Sequence, residues 1–114
     1  MELELCIPEN LSLKDQTQLN NAIAALFMNL DEIPKAEALW IVQKIGQEYR
    51  GFAQFIPIIN DISSVDAKEY TGYDRIKTYI VTISTGLFPN DRSVVHDCML
   101  NAVFGRCLTI ATQN

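Results

Sequence analysis

Tyr73-Asp74-Arg75-Ile76-Lys77-Thr78-Tyr79-Ile80-Val81-Thr82-Ile83-Ser84-Thr85-Gly86-Leu87 is the stretch on which the fold class turns. Its middle, Tyr79 to Ile83, is rich in β-branched side chains and suits a strand. Its apolar positions point the other way. Tyr73, Ile76, Ile80, Ile83 and Leu87 step by 3, 4, 3 and 4 residues, which lines one face of an α-helix. The periodic stretch is also too long for an ordinary strand. A helix is therefore expected here, and no second β-rich stretch occurs elsewhere to build a sheet.

Upstream, Ser12 followed three residues later by Asp15 has capping-box geometry with Asp in place of Glu, so a helix is expected from about Leu13. Leu19, Ile23, Leu26, Phe27 and Leu30 continue it at helical spacing. Asp31-Glu32-Ile33-Pro34 breaks it, and Pro34 suits the first position of a second helix, where its missing N–H would be unpaired anyway. Ala38, Ile41, Ile45, Tyr49 and Phe52 mark that helix's inner face. Leu39, Trp40 and Val42 add apolar surface outside the stripe, so the helix is either central or covered by a partner.

Phe52, Phe55, Ile56 and Ile59 carry the helical spacing on, with a kink or restart at Pro57, and Asn60 to Ser64 reads as a loop. Downstream of Leu87, Pro89-Asn90-Asp91 is a break with an N-cap candidate. Val94, Val95, Cys98, Ala102, Val103, Phe104, Cys107, Leu108 and Ala111 then give a last helix with Gly105 as its point of bending. Five helical segments joined by short connections make a single all-α domain over residues 1–114.

The composition agrees with one core: 114 residues, 48% hydrophobic, 20% charged, and no low-complexity tract. No apolar stretch approaches the ~18 residues that span a bilayer. Glu2 and Glu4 stand where a signal peptide carries basic residues, so a cytosolic (cytoplasmic) protein without membrane insertion is expected. The net charge of −5 and the dispersed Lys and Arg disfavour nucleic acid, which needs a concentrated basic face.

Little in the sequence points to catalysis. His96 is the single histidine, and residues two apart on a helix do not face each other, so His96 and Cys98 make a poor nucleophilic pair. Cys6, Cys98 and Cys107 have no zinc-site spacing and read as reduced, buried thiols. Asp61, Asp66, Glu69 and Asp74 read as solvation of a loop and a helix start, and no phosphate loop, dinucleotide fingerprint or hydrolase elbow occurs. No enzyme, metal or cofactor is expected.

Arg75-Ile76-Lys77-Thr78-Tyr79, the following Ile80-Val81-Thr82-Ile83-Ser84-Thr85-Gly86 and then Asp91-Arg92 resemble the phycobiliprotein (phycobilisome) family, whose chains carry an Arg-x-x-Thr-Tyr helix, a Gly-containing turn and an acidic start to the next helix. The register holds to about Gly105, and Leu11-Ser12 and Ala36-Glu37-Ala38 resemble the family's first two globin helices in order and spacing. The resemblance implies a globin-like bundle and a pigment-free relative. Where the family tethers a bilin to Cys and holds it with Asp, this chain has Val65-Asp66-Ala67-Lys68, so no covalent bilin is expected. With Met1 to Asn10 ahead of the first helix, the family's N-terminal helical pair is not expected here.

The resemblance further implies that Arg75 and Tyr79 face a partner subunit, with Arg75 pairing a partner carboxylate through its planar fork. The plain alternative is an exposed Arg75 paired with Asp74 or with nothing. The expected function is non-enzymatic protein binding or self-association through Arg75, Tyr79 and Trp40, as a phycobilisome-associated subunit or accessory. A small acidic immunity or antitoxin-type inhibitor is the alternative. A haem globin is disfavoured because too few residues follow His96 for the two helices that come after a proximal ligand.

Overall fold

The computed structural model describes residues 10–62 and 66–113. Among them are five α-helices and no strand: α1 (Leu13–Leu30), α2 (Lys35–Glu48), α3 (Ile56–Ile62), α4 (Tyr73–Leu87) and α5 (Arg92–Ala111), with a 3-10 helix, Arg50–Phe55, between α2 and α3. The all-α reading of Tyr73 to Leu87 therefore holds to the residue. The helical period wins over β-propensity because Tyr73, Ile76, Ile80 and Ser84 share one buried face, while Val81 and Thr82 point outward.

Local signals set most boundaries. Ser12 Oγ accepts the Asp15 N–H at 3.1 Å and starts α1. Pro34 is the N-cap of α2 rather than its first helical residue, because its backbone is extended at ψ 154°; its carbonyl accepts the Ala38 N–H at 3.0 Å. Tyr49, also extended, ends α2. Pro57 falls in the first turn of α3, where a missing N–H is tolerated. The helix then runs to Ile62, so the loop expected from Asn60 starts later. Asp91 is the N-cap of α5 without a side-chain hydrogen bond to it, and α5 is continuous through Gly105.

α5 is the centre. It buries Val95, Cys98, Met99, Val103, Phe104, Cys107 and Leu108, residues that point to all sides of a helix, and α1, α2 and α4 pack around it. By length and composition α5 is apolar enough to cross a membrane, which corrects the expectation that no such stretch exists; most of it is packed inside the bundle. Counting uninterrupted apolar runs missed it because single charges such as Asp97 interrupt them.

α2 runs antiparallel to α5: Lys35 Nζ donates to the Gln113 carbonyl at one end, and the Tyr49 ring lies 6.3 Å from that of His96 at the other. Phe104 is fully buried where the 3-10 helix crosses α5, with Phe52 and Phe55 ring centroids 4.6 and 5.3 Å away. A fully buried side chain of that size contributes about 1.5–3 kcal/mol. The apolar surplus on α2 that called for a covering element is met from within the chain, since Leu39 and Val42 are buried.

Candidate functional site

The 3-10 segment sets up one wall of an open apolar groove. A 3-10 helix repeats every three residues, so side chains at i and i+3 eclipse. Phe52 and Phe55 therefore stand on one side of the segment, and Tyr49, the extended residue just before it, lines the same groove; each of the three is half-buried. Opposite them, α5 offers Val94, Asp97, Cys98 and Asn101, which share a face at i, i+3, i+4 and i+7. Between the two walls lies an open groove of about 770 Å³, lined mainly by apolar atoms, with Leu100 also contributing. Val94 rises on its edge, 53% exposed.

Three charged residues line the groove: Glu48, Arg50 and Asp97. Glu48 is held by α4, its Oε2 accepting the Tyr73 hydroxyl at 3.1 Å and lying 3.5 Å from Lys77 Nζ. Asp97 is exposed, with the Nδ1 of His96 at 3.6 Å. Arg50 is exposed and makes no ion pair among the described residues.

The Tyr73–Glu48 contact belongs to a ladder that latches α4 onto α2. Lys44 sits over the Trp40 ring at 5.5 Å, Trp40 meets Tyr73 edge-on at 5.5 Å, and Lys77 sits over the Tyr73 ring at 4.7 Å. Burial, followed by the neighbouring Glu48 carboxylate, pushes the Tyr73 hydroxyl well above the ordinary tyrosine range. Trp40, expected on a partner-facing surface, is thus half-buried and engaged with α4.

Arg75 and Tyr79 lie four residues apart on the flank of α4 opposite Lys77. Arg75 is exposed and makes no ion pair among the described residues; Asp74 pairs instead with Lys77 at 3.5 Å. Tyr79 is half-buried, and its hydroxyl donates a long hydrogen bond of 3.4 Å to the Ala22 carbonyl of α1. The two residues do not line the groove.

The groups considered for chemistry are not brought together. His96 is a half-buried boundary residue beside Asp97. Burial pushes the Cys107 thiol up to about 12, so it stays protonated and non-nucleophilic. Asp66, Glu69 and Asp74 are exposed, and no group of potential metal ligands occurs among the described residues. Cys6, Val65 and the side chain of Asp61 lie outside the described residues; Lys68 is exposed and its backbone N–H donates to the Ala36 carbonyl.

Sequence reasoning placed Tyr49, Phe52 and Phe55 on inner helical faces and missed the groove, because these half-buried rings also line an open surface beside α5. Searches for related protein families, curated proteins and solved structures find no match to this chain.

Proposed function

We propose that this chain is a non-enzymatic helical domain that binds protein, with the groove between the 3-10 helix and α5 as its contact surface. The observation that carries the reading is that Tyr49, Phe52 and Phe55 face the exposed Val94 across an open apolar groove. An open groove lined mainly by apolar side chains and edged by a few charges suits a protein segment, with aromatic anchors at its centre.

The resemblance to the phycobilisome family supports a finer reading, a pigment-free phycobilisome-associated subunit or accessory. On that reading the Arg75 flank of α4 meets a partner carboxylate as a second contact. An exposed guanidinium without an ion pair among the described residues is compatible with it.

Capture from native lysate with the whole chain as bait tests both surfaces. Val94→Glu, which puts a charge on the edge of the groove, is expected to abolish recovery of a specific partner with the helical signal unchanged. Arg75→Ala is expected to weaken it by about 1.5 to 3 kcal/mol, as for a hydrogen bond to a charged group. Equal recovery by wild type and Val94→Glu removes the groove; equal recovery by wild type and Arg75→Ala removes the α4 contact.

A further inference from the structure

The outer face of α1 is nearly free of charge. The ionisable side chains of this 18-residue helix are Lys14 and Asp15, both in its first turn, whereas a surface helix ordinarily carries charges along its solvent side. Leu13, Thr17, Asn20, Asn21, Ala24 and Met28 are all exposed, and at the α-helical period they fall in one stripe roughly 100° wide. Leu13 and Met28 stand at its two ends, each 80% exposed, more than any other large apolar side chain among the described residues. The Asn20 and Asn21 amides make no hydrogen bond among those residues. The stripe also reads alike from both ends. A two-fold centre between Asn20 and Asn21 exchanges Leu13 with Met28, Thr17 with Ala24 and Asn20 with Asn21, so large apolar residues are outermost, small ones come next and amides lie in the middle.

We propose that a second copy of the chain docks on this stripe, α1 against α1 in an antiparallel isologous dimer. The proposal is independent of the groove, none of whose lining residues lies on α1. Self-complementarity along the whole stripe is what selects the second copy. Leu13 of each copy packs on Met28 of the other, with the flexible thioether filling the gap. Thr17 and Ala24, small and opposite each other, let the two convex helices approach closely. Asn20 and Asn21 each carry donors and an acceptor, so across the axis they pair reciprocally; an apolar partner helix leaves those amides unpaired, and a charged one finds no counter-charge on the stripe. Charge fixes the direction. Lys14 stands at one end of α1, and Asp31 and Glu32 follow the other. Antiparallel order brings the Lys14 of each copy to the acidic end of the other and opposes the two helix dipoles, whereas parallel order sets like on like. From Leu13 to Met28 the contact is about 22 Å long, and one such helix pair covers less than the ~800 Å² per partner of a standard interface. A net charge of −5 on each copy also opposes the encounter, so a weak dimer that dissociates in the high micromolar range is expected.

Sedimentation equilibrium of the full chain from low micromolar to about millimolar concentration is the test. Wild type is expected to show a monomer–dimer equilibrium. Met28→Glu, at a side chain that the monomer leaves exposed, is expected to weaken it by at least about tenfold, with circular dichroism and thermal unfolding unchanged. Thr17→Lys and Ala24→Glu test the register, since positions 17 and 24 are too far apart to meet within one helix and face each other across the axis. Each variant alone is expected to dimerise more weakly than wild type. An equimolar mixture of the two is expected to associate at least about threefold more tightly than either alone, because the introduced ammonium of one copy then meets the introduced carboxylate of the other. A wild type still monomeric at about millimolar concentration overturns the proposal, as does a dimer that keeps its affinity in Met28→Glu or a mixture no tighter than its components. A dimer lost in Val94→Glu and kept in Met28→Glu overturns the α1 pairing as well, while leaving the protein-binding reading of the groove standing.

Discussion

The Tyr73 hydroxyl donates to Glu48 Oε2 across 3.1 Å, and through that bond the start of α4 is tied to the end of α2. Glu48 also lines the groove, so the latch between the two helices and the candidate contact surface share a residue.

Removing that hydroxyl tests the latch. Tyr73→Phe is expected to lower unfolding free energy by about 1 to 2 kcal/mol, since the acceptor is a partly exposed carboxylate. The pH dependence has a definite sign. Tyr73 is held above the ordinary value near 10, so its contribution is full below that value and is lost as pH rises beyond it. Denaturant unfolding across the alkaline range should show a falling stability in wild type that is shallower in Tyr73→Phe.

At the other end of the molecule the pH effect runs oppositely. Arg106 donates from Nε and Nη2 to both carboxylate oxygens of Asp31, at 2.6 and 2.9 Å, and the guanidinium lies over Phe27. The Arg106 hydrogen bond holds the Asp31 carboxyl below its ordinary range. Its contribution is therefore present above the ordinary aspartate value and disappears as pH falls through the lowered one. Melting temperatures of wild type and Asp31→Asn should differ near neutrality and converge in acid.

Gly46 marks a close approach of α2 to the start of α3. A Cβ there would sit 2.5 and 2.7 Å from Ile56 Cδ1 and Cγ1. Gly46→Ala gains helix propensity but forces Ile56 aside, for a net loss of about 1 kcal/mol. Ile56→Val in that background removes Cδ1, and a double-mutant cycle should show favourable coupling rather than additivity.

Cys107 should resist alkylation in the folded protein, because its thiol is buried and stays protonated well above neutrality. Peptide mapping after iodoacetamide treatment should find Cys107 unmodified in buffer and modified in denaturant. Rapid native labelling at this position would contradict the packing of α5.

The parts of the fold legible in the sequence are those specified locally. Ser12 and Asp15 are three residues apart, and the spacing of Tyr73, Ile76 and Ile80 outweighs the β-branched run because it repeats within one element. Contacts between distant segments were not legible: Asp31 with Arg106, Trp40 with Tyr73, and Glu48 with Lys77 depend on how α1, α2, α4 and α5 pack. The apolar surplus at Leu39, Trp40 and Val42 was legible, but whether it met a partner or the chain's own helices was not, since both satisfy the same pattern. The groove was hidden for a further reason. It depends on a six-residue change of helical period at Arg50–Phe55, and the sequence there reads equally well at α-helical spacing.

A photo-reactive amino acid at position 94, compared with the same group at the exposed Met28 on α1, tests the central claim most directly. Irradiation in native lysate is expected to give one discrete protein adduct from position 94 and no matching adduct from position 28. Equal, diffuse adducts from both positions, or none from position 94, would contradict the account of the groove as a protein contact surface.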